Sequence, residues 1–164
     1  MPEVDVPENW CWNGESREGG QTVVFDIDGV LSDAAGRQHY ITEGARNWHA
    51  FFEACAGDPL IEEVARLLDL LADDLQVVLL TGRPVRVQEQ TLEWLQRYKL
   101  RWDLLVMRDF GDYSAAREFK QTTVRQLRRW GFNLCLAFED DHRNRDMFER
   151  EGVPCIYIHS GYYD

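Results

Sequence analysis

Short runs of β-branched and aliphatic residues alternate along this chain with longer stretches of helical period, and that alternation leaves few options besides a parallel sheet with crossover helices. The expected strands are Thr22 to Phe25, Gln76 to Leu80, Leu104 to Met107, Leu134 to Phe138 and Cys155 to Ile158. Between them, Leu60 to Leu71 places Leu60, Val64, Leu67, Leu68 and Leu71 on one helical stripe, and Val85 to Tyr98 and Ser114 to Trp130 repeat the period. Asn144 to Arg150 reads as a shorter last helix, ended by Gly152 and Pro154. Pro84 suits a first helical turn, and Gly131 suits a helix stop. With 164 residues, 45% of them hydrophobic, the chain is long enough for one domain around one core.

Two stretches break the alternation. Residues 1–20, rich in Pro, Gly and Glu and carrying Trp10 and Trp12, are expected to form an irregular arm whose tryptophans pack on the body, residues 21–164. Residues 32–58 separate the first strand from its helix by more than a usual loop. An insertion there stands over the carboxyl end of the sheet, where open α/β sheets bind ligands, and is a candidate lid or substrate platform. Trp48, Phe51 and Phe52 within it read first as a hydrophobic anchor and second as a surface on which a base could stack. His39 and His49 share this insertion, but no histidine has metal-ligand spacing with another.

No run reaches the roughly 18 apolar residues of a membrane span, and the N-terminus lacks the pattern of a secretory signal, so a soluble cytoplasmic protein is expected. The cysteines, Cys11, Cys55, Cys135 and Cys155, form no CxxC pair, which argues for reduced thiols rather than a zinc site or disulfide framework.

The chemistry concentrates at strand ends. In TVVFDIDGVLSD, the first strand delivers Asp26 to its tip, and strand period puts Asp28 on the same side two residues later, before Gly29 allows a sharp turn. Two converging carboxylates need a cation or a shared proton, so they form a magnesium site, an acid/base pair, or both. A calcium-binding loop is excluded, because its twelfth position is Arg37 where that loop needs Glu. In VVLLTGRP, Thr81 ends a second apolar strand before Gly82 and can either face an anion or simply cap the next helix. Lys120 is one of only two lysines and lies in an arginine-rich helix, where a solvated position is the plainer reading. LAFEDD ends another strand on Glu139, Asp140 and Asp141. Each feature alone has a bland explanation. Together, at one sheet edge, they describe phosphoryl transfer: an aspartate attacks phosphorus, magnesium spans its oxygen and the phosphate, a hydroxyl and an ammonium absorb charge, and a second aspartate moves the proton.

FDIDGVL, LLTGR, Lys120 and LAFEDD in this order resemble the four motifs of haloacid dehalogenase superfamily phosphatases. From Thr22 onward, AAGRQHY, WHAFFEAC, LLVMR, CLAFEDDHRNRDMFEREGV and the terminal SGYYD are similar to the 3′-phosphatase domain of phage and bacterial polynucleotide kinases. The resemblance implies a Rossmann-like three-layer α/β sandwich with a mainly parallel central sheet and a small cap after the first strand. It implies Asp26 as nucleophile and Asp28 as general acid/base. Magnesium would be held by Asp26, the backbone carbonyl of Asp28 and Asp140, with Glu139 and Asp141 as alternative ligands. Thr81 and Lys120 would bind the transferring phosphate, Gly82 would lie beside it, and Arg83 and Arg37 would lie near the phosphate or its neighbour. Two departures stand out. The fourth motif has Asp141 where arginine is expected, and Ala116 replaces an aspartate four residues before the lysine, with Glu118 as a conceivable substitute. No kinase P-loop is present.

The formal charge of −11 opposes binding along an extended duplex. Its distribution is uneven: residues 1–80 carry 16 acids against 4 bases, whereas residues 81–150 carry 11 against 14. Arg83, Arg86, Arg108, Arg117, Arg125, Arg128 and Arg129 could guide a phosphorylated nucleic-acid end to the site, or could form solvated helix faces. The resemblance implies a 3′-phosphorylated DNA or RNA end as substrate, with a free nucleotide or other small phosphate ester, favoured by the charge total, as the alternative. A phospho-acceptor signalling domain uses similar residues, but there the hydroxyl and lysine follow the acceptor, whereas Thr81 and Lys120 precede the EDD cluster.

Overall fold

The computed structural model describes residues 5–17, 19–109 and 114–163; parts of the arm and the last residue of SGYYD lie outside them. Six strands form one sheet: β1 (Trp10–Trp12), β2 (Gly20–Phe25), β3 (Gln76–Pro84), β4 (Leu104–Arg108), β5 (Phe132–Glu139) and β6 (Cys155–Tyr157), in the order β1-β4-β3-β2-β5-β6. All neighbours are parallel except β1, which runs antiparallel to β4. The helices are α1 (His39–Thr42), α2 (Trp48–Glu53), α3 (Glu62–Leu70), α4 (Gln88–Arg97), α5 (Ala116–Trp130) and α6 (His142–Arg150).

Strand alternation divides β2 between two cores, as a sheet covered on both faces requires. Val23 and Phe25 join Val64, Leu68, Trp94 and Leu95 of α3 and α4 on one face. Val24 joins Phe119, Val124 and Leu127 of α5 and Met147 and Phe148 of α6 on the other. The result is the expected three-layer α/β sandwich, and among the described residues no helix is long and apolar enough to cross a membrane.

Three strands, β3, β4 and β5, extend past their expected carboxyl ends, at the edge that matters, whereas β2 ends at Phe25 as expected and β6 stops at Tyr157, one residue short. β3 continues through Thr81 to Pro84, so Pro84 closes a strand and leads into a single 3₁₀ turn over Val85–Val87 before α4 begins at Gln88. Gly131 does end α5, with a left-handed φ of 102°. The segment expected to be irregular contains β1, which pairs Trp10 with Val106. Trp10 packs edge to face, 5.7 Å from Trp130 and 6.4 Å from Phe132, and Trp12 stacks on Phe132 at 6.0 Å. Trp10 is buried. Its replacement by alanine should lower the unfolding free energy by about 3–5 kcal/mol. Urea unfolding checks this, and a loss below about 1 kcal/mol would mean the arm contributes nothing to the core.

Candidate active site

The chain crosses from β2 to β3 and β4 on one side and to β5 and β6 on the other, so the direction of winding reverses at β2. Ligands of open α/β sheets bind at the carboxyl side of such a reversal. Parallel pairing sets Phe25 opposite Phe138, with their rings stacked at 4.3 Å, and the Asp26 amide donates to the Phe138 carbonyl at 3.1 Å. The acids that follow both strands are thereby brought together. Asp26, Glu139 and Asp140 are buried and offer carboxylate oxygens within 4.8 Å of one another.

Lys120 answers part of this charge. α5 carries it to within 3.1 Å of Asp26 Oδ1 and into an ion pair with Glu139, at 2% exposure. The solvated-face reading of Lys120 therefore fails. Burial works against its charge, but the Asp26 and Glu139 carboxylates outweigh burial and hold its pKa above that of an ordinary lysine. One ammonium does not balance three acids. Burial, followed by the charge of Asp26, pushes the pKa values of both Glu139 and Asp140 upward. Among the described residues, Glu139 Oε2 and both oxygens of Asp140 are buried without a hydrogen-bond partner. A compact set of oxygen donors with uncompensated charge suits a hard divalent cation such as magnesium. Gly29 makes the approach possible: its φ is +81°, and a Cβ there would meet Asp140 Oδ2 at 2.0 Å. Asp141 is engaged elsewhere, capping α6 through the Arg143 amide at 2.9 Å and pairing with the Arg143 guanidinium. It is outside the three-acid cluster.

Asp28 meets a different environment. Its Oδ1 accepts from Arg37 Nη2 and Arg83 Nη2, both at 2.7 Å, and from Arg83 Nε at 3.0 Å. Burial raises its pKa, but the Arg83 and Arg37 charges and hydrogen bonds prevail and keep it below the usual carboxylate range. Behind the arginines is Asp58, which sequence reasoning did not single out. Arg37 forks onto it through Nε at 2.9 Å and Nη2 at 2.7 Å, and Ser32 donates to it at 2.6 Å. Two carboxylates and two guanidiniums thus form one buried network, with Arg37 at 2% and Arg83 at 0% exposure. Neither arginine lines the cavity, so their place is behind Asp28 rather than in the open position beside a phosphate.

The cavity has a volume of about 650 Å³. Asp26, Asp28, Thr81, Gly82, Lys120 and Asp141 line it, as do Trp48, Phe51 and Phe52 of the insertion. Thr81 is buried and its hydroxyl accepts from the Arg83 amide at 3.1 Å, which fixes the irregular end of β3. Ala116 also lines the cavity, whereas Glu118 is exposed and does not take the place of the missing carboxylate. Arg125 and Arg128 pair with Glu151, as the solvated-face reading expects. Tyr162 and Tyr163 add a further wall: Tyr162 donates to Asp33 at 3.1 Å, and Arg143 lies over the Tyr163 ring. The terminal SGYYD was the one sign of this wall in the sequence.

Residues 20–163 match the family described as the polynucleotide kinase PNKP phosphatase domain. The Pnkp1/Rnl/Hen1 RNA repair complex contains a chain 26% identical to this one, with a TM-score of 0.72 over 91% of this chain and 45% of that one. A Bacillus subtilis protein named "Putative nucleotidase YqfW" is 27% identical over 104 residues, which is 63% of this chain and 48% of that protein. A haloacid dehalogenase-like phosphatase structure from Mesorhizobium loti shares the fold, with a TM-score of 0.60 at 12% identity over 88% of this chain and 75% of that one. This chain thus spans about half the length of the first two relatives.

Magnesium at a hundredfold excess over its Kd should add about 2.7 kcal/mol to stability. Asp140→Asn should abolish that gain while leaving the ion-free protein no less stable, since it replaces a carboxyl that burial and Asp26 already push toward its neutral form with a neutral amide of the same shape. Thermal unfolding with and without magnesium measures both effects. An unchanged magnesium shift in the variant would remove Asp140 from the ligand set.

Proposed function

The chain belongs to the polynucleotide kinase PNKP phosphatase-domain family, and we propose that it is a magnesium-dependent phosphomonoesterase that removes 3′-phosphates from nucleic-acid ends through an aspartyl-phosphate. The observation that carries this reading is the placement of Asp26: its carboxylate lies in the cavity floor, 3.1 Å from the Lys120 ammonium and beside two further acids.

Asp26 attacks phosphorus with one carboxylate oxygen, and the bond from phosphorus to the ester oxygen breaks. Lys120 and the Thr81 hydroxyl stabilise charge on the phosphoryl oxygens as it passes between donor and acceptor. Held ionised by Arg37 and Arg83, Asp28 is set to take a proton from the water that hydrolyses the acyl phosphate, and it gives a proton to the leaving oxygen only once the negative charge of a bound phosphate has raised its pKa. Arg37 and Arg83 fix its carboxylate at the cavity wall, and Asp58 and Ser32 fix the arginines. The family resemblance assigns the Asp28 backbone carbonyl, rather than its side chain, to the metal, and the side chain's hydrogen bonds to Arg37 and Arg83 agree with that assignment. Asp26, Asp140 and that carbonyl would hold magnesium, whose positive charge would offset the acids and favour a bound phosphate. The insertion of residues 32–58 serves as a fixed cap over this floor.

A nucleotidase is the second reading, favoured by the charge of −11. Phosphate release from a 3′-phosphorylated oligonucleotide, compared with nucleoside 3′- and 5′-monophosphates, separates the two. The proposal expects the highest kcat/KM on the oligonucleotide. Asp26→Asn should lower release by about three orders of magnitude or more while circular dichroism stays unchanged. Turnover by that variant at the wild-type rate would overturn the mechanism.

A further inference from the structure

Of the cavity's surface, the reacting phosphate needs only the polar floor. The rest of the substrate must lie against what remains, and on the side of the insertion that surface is aromatic. Trp48 is 47% exposed, although it is among the largest apolar side chains of the molecule. Its ring lies nearly parallel to that of Phe52, 6.0 Å away at 27°, and Phe51 supports it edge-on at 5.6 Å.

This surface is tied to the chemistry. The Arg37 guanidinium that holds Asp28 sits 4.4 Å from the centre of the Phe51 ring and donates to the Phe51 carbonyl at 3.2 Å. At one end of α2, the Asn47 side chain accepts from the Ala50 amide at 3.0 Å. At the other end, Glu53 pairs with Arg86 and accepts from Gln90 at 3.1 Å. Trp48 is therefore held in register with the catalytic floor rather than carried on a loose loop.

We infer that Trp48, backed by Phe52, is the stacking platform for the nucleobase of the terminal nucleotide whose phosphate sits over Asp26. A flat aromatic face a short way from a phosphoryl site suits a ligand that joins a flat π surface to a phosphate through a sugar, and stacking of this kind accepts any base. Arg108, at the carboxyl end of β4, lines the same cavity with its buried Nε lacking a hydrogen-bond partner among the described residues. It supplies positive charge suited to the next phosphodiester, which a polynucleotide end carries and a mononucleotide lacks.

The inference rests on the phosphatase reading, and its test keeps the two apart. Two 3′-phosphorylated oligonucleotides are compared, one with a normal terminal nucleotide and one with an abasic terminal sugar. The wild-type protein should prefer the base-bearing end by about 5- to 150-fold in kcat/KM. Trp48→Ala should bring that ratio close to one, and Trp48→Phe should keep most of it. A ratio near one in the wild type, or one that survives Trp48→Ala, overturns the platform and leaves the phosphatase reading standing. Failure of the wild type to act on either end overturns both. A second measurement does not depend on the alanine variant folding: an oligonucleotide ending in 3′-phosphorylated 2-aminopurine should lose fluorescence when it binds the Asp26→Asn protein. Binding without quenching contradicts stacking at the terminal base.

Discussion

Asp26, Glu139 and Asp140 are forced together by parallel pairing of β2 with β5, and the charge they concentrate in a buried place sets the conditions for the rest of the site. Like charges this close raise one another's pKa unless cations intervene. Lys120 is one such cation, drawn under the sheet edge by α5. Gly29 is the steric condition, because any side chain there would occupy the space of Asp140. The cluster is thus a costly arrangement for an empty fold and a favourable one for a fold that binds a divalent ion and a phosphate.

The second network answers the first with the opposite balance. Asp28, Asp58, Arg37 and Arg83 are nearly neutral as a group and satisfy one another's hydrogen bonds, so they can be buried at modest cost. Asp26 and Asp28, two residues apart on one strand extension, therefore live in different electrostatic surroundings: one beside acids and an ammonium, the other gripped by guanidiniums. That separation suits a nucleophile and a proton carrier working on the same phosphate.

Much of this was legible because period and position are local signals. The strands after the arm show themselves as apolar runs, and the acids of interest follow those runs directly. Three-residue β1 is too short to show a period, and it becomes a strand only by pairing with β4, far along the chain. The insertion's helices, of four and six residues, are likewise below what periodicity reveals. At the site, the family resemblance set Arg37 and Arg83 near the phosphate or its neighbour, without showing direction. Their guanidiniums turn to Asp28 and Asp58 instead, a choice made by tertiary packing around Ser32 and Phe51. Glu139 was one of three open alternatives in EDD, and the capping role of Asp141 removes one of them.

The central claim is that Asp26 carries the phosphoryl group. The most direct measurement incubates the protein with magnesium and excess 3′-phosphorylated oligonucleotide, quenches in acid during turnover, and maps any phosphate on the chain by mass spectrometry. The account predicts a phosphorylated fraction confined to the peptide containing Asp26. Steady release of phosphate with no phosphorylated protein at any time, from milliseconds to the steady state, would contradict it.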